Sequence, residues 1–194
     1  TKKQDIISNA SCTTNCIAPV AQIIYSKFGV KKAMMTTVHS YTADQRLHDA
    51  PHDDLHRARA AAENIVPTST GAAVSTGEVI PELQGLFDGF AIRVPTMNVS
   101  LSDFTFVVKK KTTVQEVNRA LTNASRSKRY KGILAVTDKP LVSSDFIGDP
   151  HSCTLDLLLT TVITPWQILW GKLFAGLRVS SVLTMFLVWP IILA

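Results

Sequence analysis

Apolar and polar positions divide this chain into three patterns. In the first, Ile17, Val20, Ala21 and Ile24 recur at three- and four-residue intervals, the spacing that gathers side chains on one face of an α-helix. Val114, Val117 and Leu121 repeat that spacing within residues 113–125. A third helix is expected to open after the hydroxyl-rich turn Pro67-Thr68-Ser69-Thr70-Gly71 and to run through Ala72, Ala73 and Val74 to Ile80. In the second pattern, short alternating or apolar runs at residues 5–7, 30–41, 90–94, 101–108, 132–136 and 155–163 read as strands. Several strands separated by only three helices predict an α+β fold: a largely antiparallel mixed sheet with helices on one face.

The third pattern begins at Thr164. From there to Ala194 the chain has no acidic residue and holds all three of its tryptophans, and residues 179–194 carry no charge. Trp166 and Trp170 lie one helical turn apart, as interfacial anchors do. The uncharged run is shorter than the ~20 residues that span a bilayer. It reads as the start of a membrane helix cut short, able to contact a membrane, and the segment resembles permeases of ABC transporters. The alternative is a diverged helix packed on the sheet, because short apolar runs do not separate the two. The expected organisation is therefore a domain at residues 1–163 and an apolar helical tail at 164–194, a truncated transmembrane segment or a chimeric junction.

Residues 42–62 form a long polar stretch with Asp44, Asp49, Pro51, Asp53 and Asp54. Loops of this length are usually functional. His48, His52 and His56 recur every four residues and would line one face of a helix as metal ligands. Pro51 breaks such a helix, which favours three exposed loop histidines instead.

A length of 194 residues suits one domain with an appendage. The net charge of +5 is unclustered apart from residues 109–111 and 126–131, so nucleic-acid binding is not indicated. Three cysteines, an odd number without scaffold spacing, argue for a reducing compartment, by default the cytoplasm. Thr1-Lys2-Lys3-Gln4 has neither an initiator methionine nor an apolar leader, so the start reads as an interior cut rather than a targeting peptide.

The chemistry concentrates in Ser8-Asn9-Ala10-Ser11-Cys12-Thr13-Thr14-Asn15-Cys16, a polar turn between a strand-like run and the first helix. Ser11 and the threonines supply N-cap groups. Cys12 falls where unpaired N–H groups and the helix dipole favour an anion, which makes it a candidate nucleophile. A free cysteine is more commonly a small buried apolar residue, but hydroxyls flank this one on both sides. His39, at the end of the strand-like run 30–41, is a candidate base for it. The turn before Ala72 offers either an ordinary cap or an anion site. Arg93, set among apolar neighbours, offers its planar fork to a carboxylate or to a phosphate.

Ser-Cys-Thr-Thr-Asn-Cys, His-Ser-Tyr-Thr-Ala-Asp-Gln, Pro-Thr-Ser-Thr-Gly-Ala-Ala and Arg-Val-Pro-Thr occur in that order. In this the chain resembles phosphorylating glyceraldehyde-3-phosphate dehydrogenase over residues 6–163. The resemblance implies oxidation and phosphorylation of the aldehyde of glyceraldehyde 3-phosphate to 1,3-bisphosphoglycerate, through a thioester on Cys12 with His39 as base and NAD as hydride acceptor. It implies that Arg93 and Thr42 hold the substrate phosphate. It implies too that Ser11, Thr13, Thr70 and Gly71 line the site of the attacking inorganic phosphate, with Arg57 a weaker anion ligand. Pro51 resembles the residue of NAD-preferring members, although Ala50 departs from their common leucine, so NAD is expected before NADP. A homotetramer is implied for the complete enzyme. The family's dinucleotide-binding domain, which precedes the cysteine motif, is not represented: no G-x-G-x-x-G follows a strand here, so an inactive fragment is expected. Two other classes stay open: a membrane protein whose tail is the working part, and a non-catalytic thiol or metal module built on Cys12, Cys16 and His39.

Overall fold

A computed structural model describes residues 5–6, 11–158 and 160, all within one unit, Thr1–Thr160. The tail expected at residues 164–194 lies outside these residues, as does most of the strand expected at 5–7. No helix among the described residues is long and apolar enough to cross a membrane.

Helix α1 spans Cys12–Phe28. Ser11 is its N-cap, extended at φ −149°, and its hydroxyl oxygen accepts the Thr14 N–H at 3.2 Å. At the other end Gly29 takes φ +63° and donates its N–H to the Tyr25 carbonyl at 2.9 Å, a backbone conformation that glycine adopts without penalty. Pro19 sits inside the helix. An interior proline costs about 3 kcal/mol, but α1 buries Ile17, Val20, Ile23, Ile24 and Phe28, each contributing roughly 1.5–3 kcal/mol. Packing wins over local propensity.

The main sheet has the order β2-β3-β1-β4. Its central strand β1 (Val30–Ser40) buries Val30, Ala33, Met35, Thr37 and His39 toward the helices. Strand β3 (Phe87–Val94) runs parallel to β1, while β2 (Val66–Thr68) and β4 (Leu101–Val108) pair antiparallel. Two of the three pairings are antiparallel, as the sequence predicts. Gly89 faces Met35 so closely that a Cβ there would lie 2.7 Å from the Met35 carbonyl oxygen, so only glycine fits. Phe87, Phe104 and Phe106 stack in the core. Helix α2 (Ala72–Val79) lies in the crossover between β1 and β3. Helix α3 (Val114–Ser125) opens with a capping box between Thr113 and Glu116. It packs beside a second, two-stranded parallel sheet of β5 (Leu134–Thr137) and β6 (Cys153–Asp156). On the open side of the main sheet Met34, Phe90, Leu101 and Val107 are exposed.

The last strand departs from expectation. Among the described residues it occupies Cys153–Asp156 and so starts two residues ahead of the run expected at 155–163, with Leu134 in register with Cys153 and Val136 with Leu155. The chain then bends, and the Asp156 carboxylate accepts the Leu158 N–H at 2.9 Å. Residues 159 and 161–163 are outside the described part. Strand β2, three residues long, is too short for any periodicity to reveal.

Candidate active site

The carboxyl ends of the parallel pair β1 and β3 lie beside each other, with His39 in register with Arg93. Cys12, the first residue of α1, is exposed, and its Sγ is 3.4 Å from His39 Nε2. His39 is 9% exposed, and its Nδ1 is 2.6 Å from the Ser40 carbonyl oxygen. A carbonyl can only accept, so Nδ1 carries the proton and Nε2 presents its lone pair to the thiol. The backbone beside His39 thereby selects the tautomer that can take a proton from sulfur. Thr13 Oγ1 is 4.0 Å from the same sulfur. Ser11 Oγ donates to Thr14 Oγ1 at 2.6 Å, which rigidifies the turn carrying the thiol.

Arg93 forms a second cluster. Its Nη1 donates to Thr42 Oγ1 at 2.6 Å and to Gln45 Oε1 at 3.2 Å. Burial pushes its guanidinium below the ordinary arginine value, and the like charge of Arg57 adds to this, while Asp44 and Cys12 act the other way. These groups share one electrostatic environment. Arg93 Nε and Gln45 Nε2 are buried without a hydrogen-bond partner.

Arg57 behaves differently from an open anion ligand. Its guanidinium pairs with Asp44 through Nη1 and lies 3.3 Å from Asp54 through Nε. It also donates to Thr68 Oγ1 at 2.9 Å and to the Ser69 carbonyl at 3.5 Å. Thr70 Oγ1 accepts the Ala72 N–H at 3.2 Å, and Gly71 stands at the N-cap of α2 without a side-chain cap. Among the described residues no hydrogen bond joins Thr70 or Gly71 to the Cys12–His39 pair. The structure thus unites Cys12 with His39, and Arg93 with Thr42, and ties Arg57 into an acidic network.

Residues 42–65 form turns and bends rather than a helix. His52 Nε2 is 3.8 Å from Asp44, and His56 Nδ1 is 3.5 Å from Asp54. Among the described residues no group of three or more histidines, cysteines or acids is placed to hold a metal ion. Pro51 is exposed, and its carbonyl accepts Arg46 Nε at 2.9 Å. Gln45 was not among the candidates that the sequence offers. A glutamine in a polar loop carries no signal beyond following the His-Ser-Tyr-Thr-Ala-Asp run.

The family described as glyceraldehyde 3-phosphate dehydrogenase, C-terminal domain, matches residues 11–173, reaching past the boundary at residue 163 that the sequence suggests. A glyceraldehyde-3-phosphate dehydrogenase of Mycobacterium leprae is 55% identical over 160 residues, 82% of this chain and 47% of the relative. One from Geobacillus stearothermophilus is 55% identical over 162 residues, 84% and 48% respectively. Glyceraldehyde-3-phosphate dehydrogenase 1 of Bacillus subtilis is 55% identical over 159 residues, 82% and 47%. The chain spans about half the length of the curated relatives it matches. A chain with this identity and this span belongs to the glyceraldehyde-3-phosphate dehydrogenase family and carries its C-terminal domain.

Proposed function

We propose that this chain supplies the covalent half of a phosphorylating glyceraldehyde-3-phosphate dehydrogenase of glycolysis. The observation that carries the reading is the Cys12 Sγ to His39 Nε2 approach of 3.4 Å, with Nδ1 committed to the Ser40 carbonyl. His39 takes the thiol proton, and the Cys12 sulfur adds to the aldehyde carbon of glyceraldehyde 3-phosphate. Arg93 and Thr42 hold the phosphate of that substrate. NAD, in preference to NADP, supplies the hydride acceptor when bound. The described residues contain no Gly-rich cradle for its pyrophosphate, so they do not by themselves hold the dinucleotide. In the acyl-transfer half, an oxygen of inorganic phosphate attacks the thioester carbonyl and the carbon–sulfur bond breaks. Sulfur leaves as thiolate, and 1,3-bisphosphoglycerate forms. Splitting one difficult step into two is the gain of covalent catalysis. Ser11, Thr13, Thr70 and Gly71 line the second phosphate site, with Arg57 contributing charge rather than a free fork.

The same reading makes the complete enzyme a cytoplasmic homotetramer. The exposed Met34, Phe90, Leu101 and Val107 on the open sheet face support self-association. It keeps residues 164–194 as a separate apolar tail with the capacity for membrane contact. Composition alone supports that part.

Acyl transfer runs in reverse without a redox cofactor, so the chain is testable as it stands. Incubated with 1,3-bisphosphoglycerate, it should gain one phosphoglyceryl group per chain on Cys12, releasing inorganic phosphate. Acylation confined to Cys16 or Cys153 would refute the assignment.

A further inference from the structure

We infer that Gln45 belongs to the substrate-phosphate site, holding the Arg93 fork without cancelling its charge and offering its own amide N–H to the phosphate. This rests on the reading that Arg93 and Thr42 bind that phosphate. Gln45 is 5% exposed in a loop whose neighbours Asp44 and Arg46 are exposed. A turn positions it: its backbone N–H donates to the Thr42 carbonyl at 3.0 Å. Its side-chain oxygen accepts from Arg93 Nη1 at 3.2 Å, and the same Nη1 donates to Thr42 at 2.6 Å. A guanidinium has only donors, so the amide must present its oxygen to Arg93 and turn its NH2 elsewhere. That NH2 is buried with no partner, and so is Arg93 Nε.

Buried polar groups are almost always hydrogen-bonded, and an exception calls for an explanation. Here two orphans occur in one bonded pair, both are donors, and one belongs to a cation. What is missing is an acceptor, and the acceptor that best matches a half-buried positive charge is an oxyanion. The choice of an amide is itself informative. A carboxylate at this position would bind Arg93 more strongly and neutralise it, whereas glutamine fixes the same geometry and leaves the charge for the ligand. Asp44, the acid nearest in sequence, is already paired with Arg57.

The test compares Cys12 alkylation by a phosphorylated α-halo ketone with alkylation by iodoacetamide, using the whole chain and reading labelled Cys12 by mass spectrometry. The wild-type chain should label with saturation by the phosphorylated reagent and faster than with iodoacetamide. Gln45→Glu preserves shape and the acceptor for Arg93 but neutralises the fork and removes the amide donor, so the inference expects this preference to fall about tenfold or more. Gln45→Met, uncharged and similar in volume, should lose preference for want of a donor while iodoacetamide labelling persists. If the wild-type chain shows no preference for the phosphorylated reagent, the phosphate reading of Arg93 fails. If the wild type shows it and either folded variant keeps it, the role of Gln45 is overturned.

Discussion

Two thiols one turn apart on α1 meet opposite surroundings. Cys12, at the exposed start of the helix, faces the lone pair of a histidine whose other nitrogen is committed. Cys16, half-buried, faces the thiol of Cys153, which is 7% exposed in the core. The hydrogen bond to Cys16 and then burial both push the Cys153 thiol far above the ordinary cysteine range. On Cys16 the bond from Cys153 outweighs burial and holds the thiol below the ordinary cysteine range. The residue type is the same at all three positions, so the partner decides reactivity. An imidazole beside Cys12 can accept a proton and stay close as a cation, and a neutral thiol in an apolar core cannot.

The sharpest way to break this contrast is to remove the imidazole. His39→Asn in a complete enzyme should lower turnover by about 10²–10⁴, and in this chain it should slow Cys12 alkylation at neutral pH while leaving Cys16 and Cys153 as they were. An unchanged Cys12 rate and pH profile would mean that the 3.4 Å contact is not a working pair. A smaller effect separates the thiols by stability. Cys153→Ser keeps a donor for Cys16 but places a hydroxyl among apolar neighbours, and should cost about 1–2 kcal/mol in a urea titration. Cys12→Ser, at the surface, should cost nearly nothing, and equal costs would erase the contrast.

A third effect is one of pH. In the unfolded chain Cys153 releases its proton near the free-thiol value of about 8.5, whereas in the folded chain it stays protonated well above that. Above about pH 8.5 the unfolded state therefore binds fewer protons at this group, and stability falls as pH rises, with a limiting slope of about 1.4 kcal/mol per pH unit. The contribution is fully present below the unfolded value. Cys153→Ser should remove the slope; denaturation midpoints that decline equally in both proteins between pH 8.5 and 10 would show that Cys153 is not its source.

The Cys12–His39 pair was legible because each lies at the end of a readable element, one opening an amphipathic helix and one closing an alternating strand. Bringing such ends together is what a strand, a turn and a helix do. The parallel contact of β1 with β3 was less legible, since it depends on a crossover through α2 and not on any local pattern. That contact sets His39 beside Arg93, which in turn bonds Gln45, so the loop residue gains its importance only from the packed sheet. Arg57 illustrates the converse. The resemblance implies a weaker anion ligand at Arg57, and the fold adds what no motif states: Asp44 and Asp54, 13 and 3 residues earlier in the chain, engage it. Composition shows that both signs are present and does not show which partners meet.

Pro19 carries a consequence for the order of events during folding. The stretch from Thr13 to Cys16 is poor in strong helix formers, and Pro19 denies it a backbone bond from the turn that follows. A nascent helix is therefore not expected to spread into this segment from the apolar stretch beyond. The turn that holds Cys12 is stabilised by Ile17 and Val20 docking on the sheet, and the imidazole arrives only with β1. Until the sheet assembles, Cys12 is an ordinary thiol, so its reactivity is acquired with tertiary structure and the newly made chain does not expose an activated sulfur.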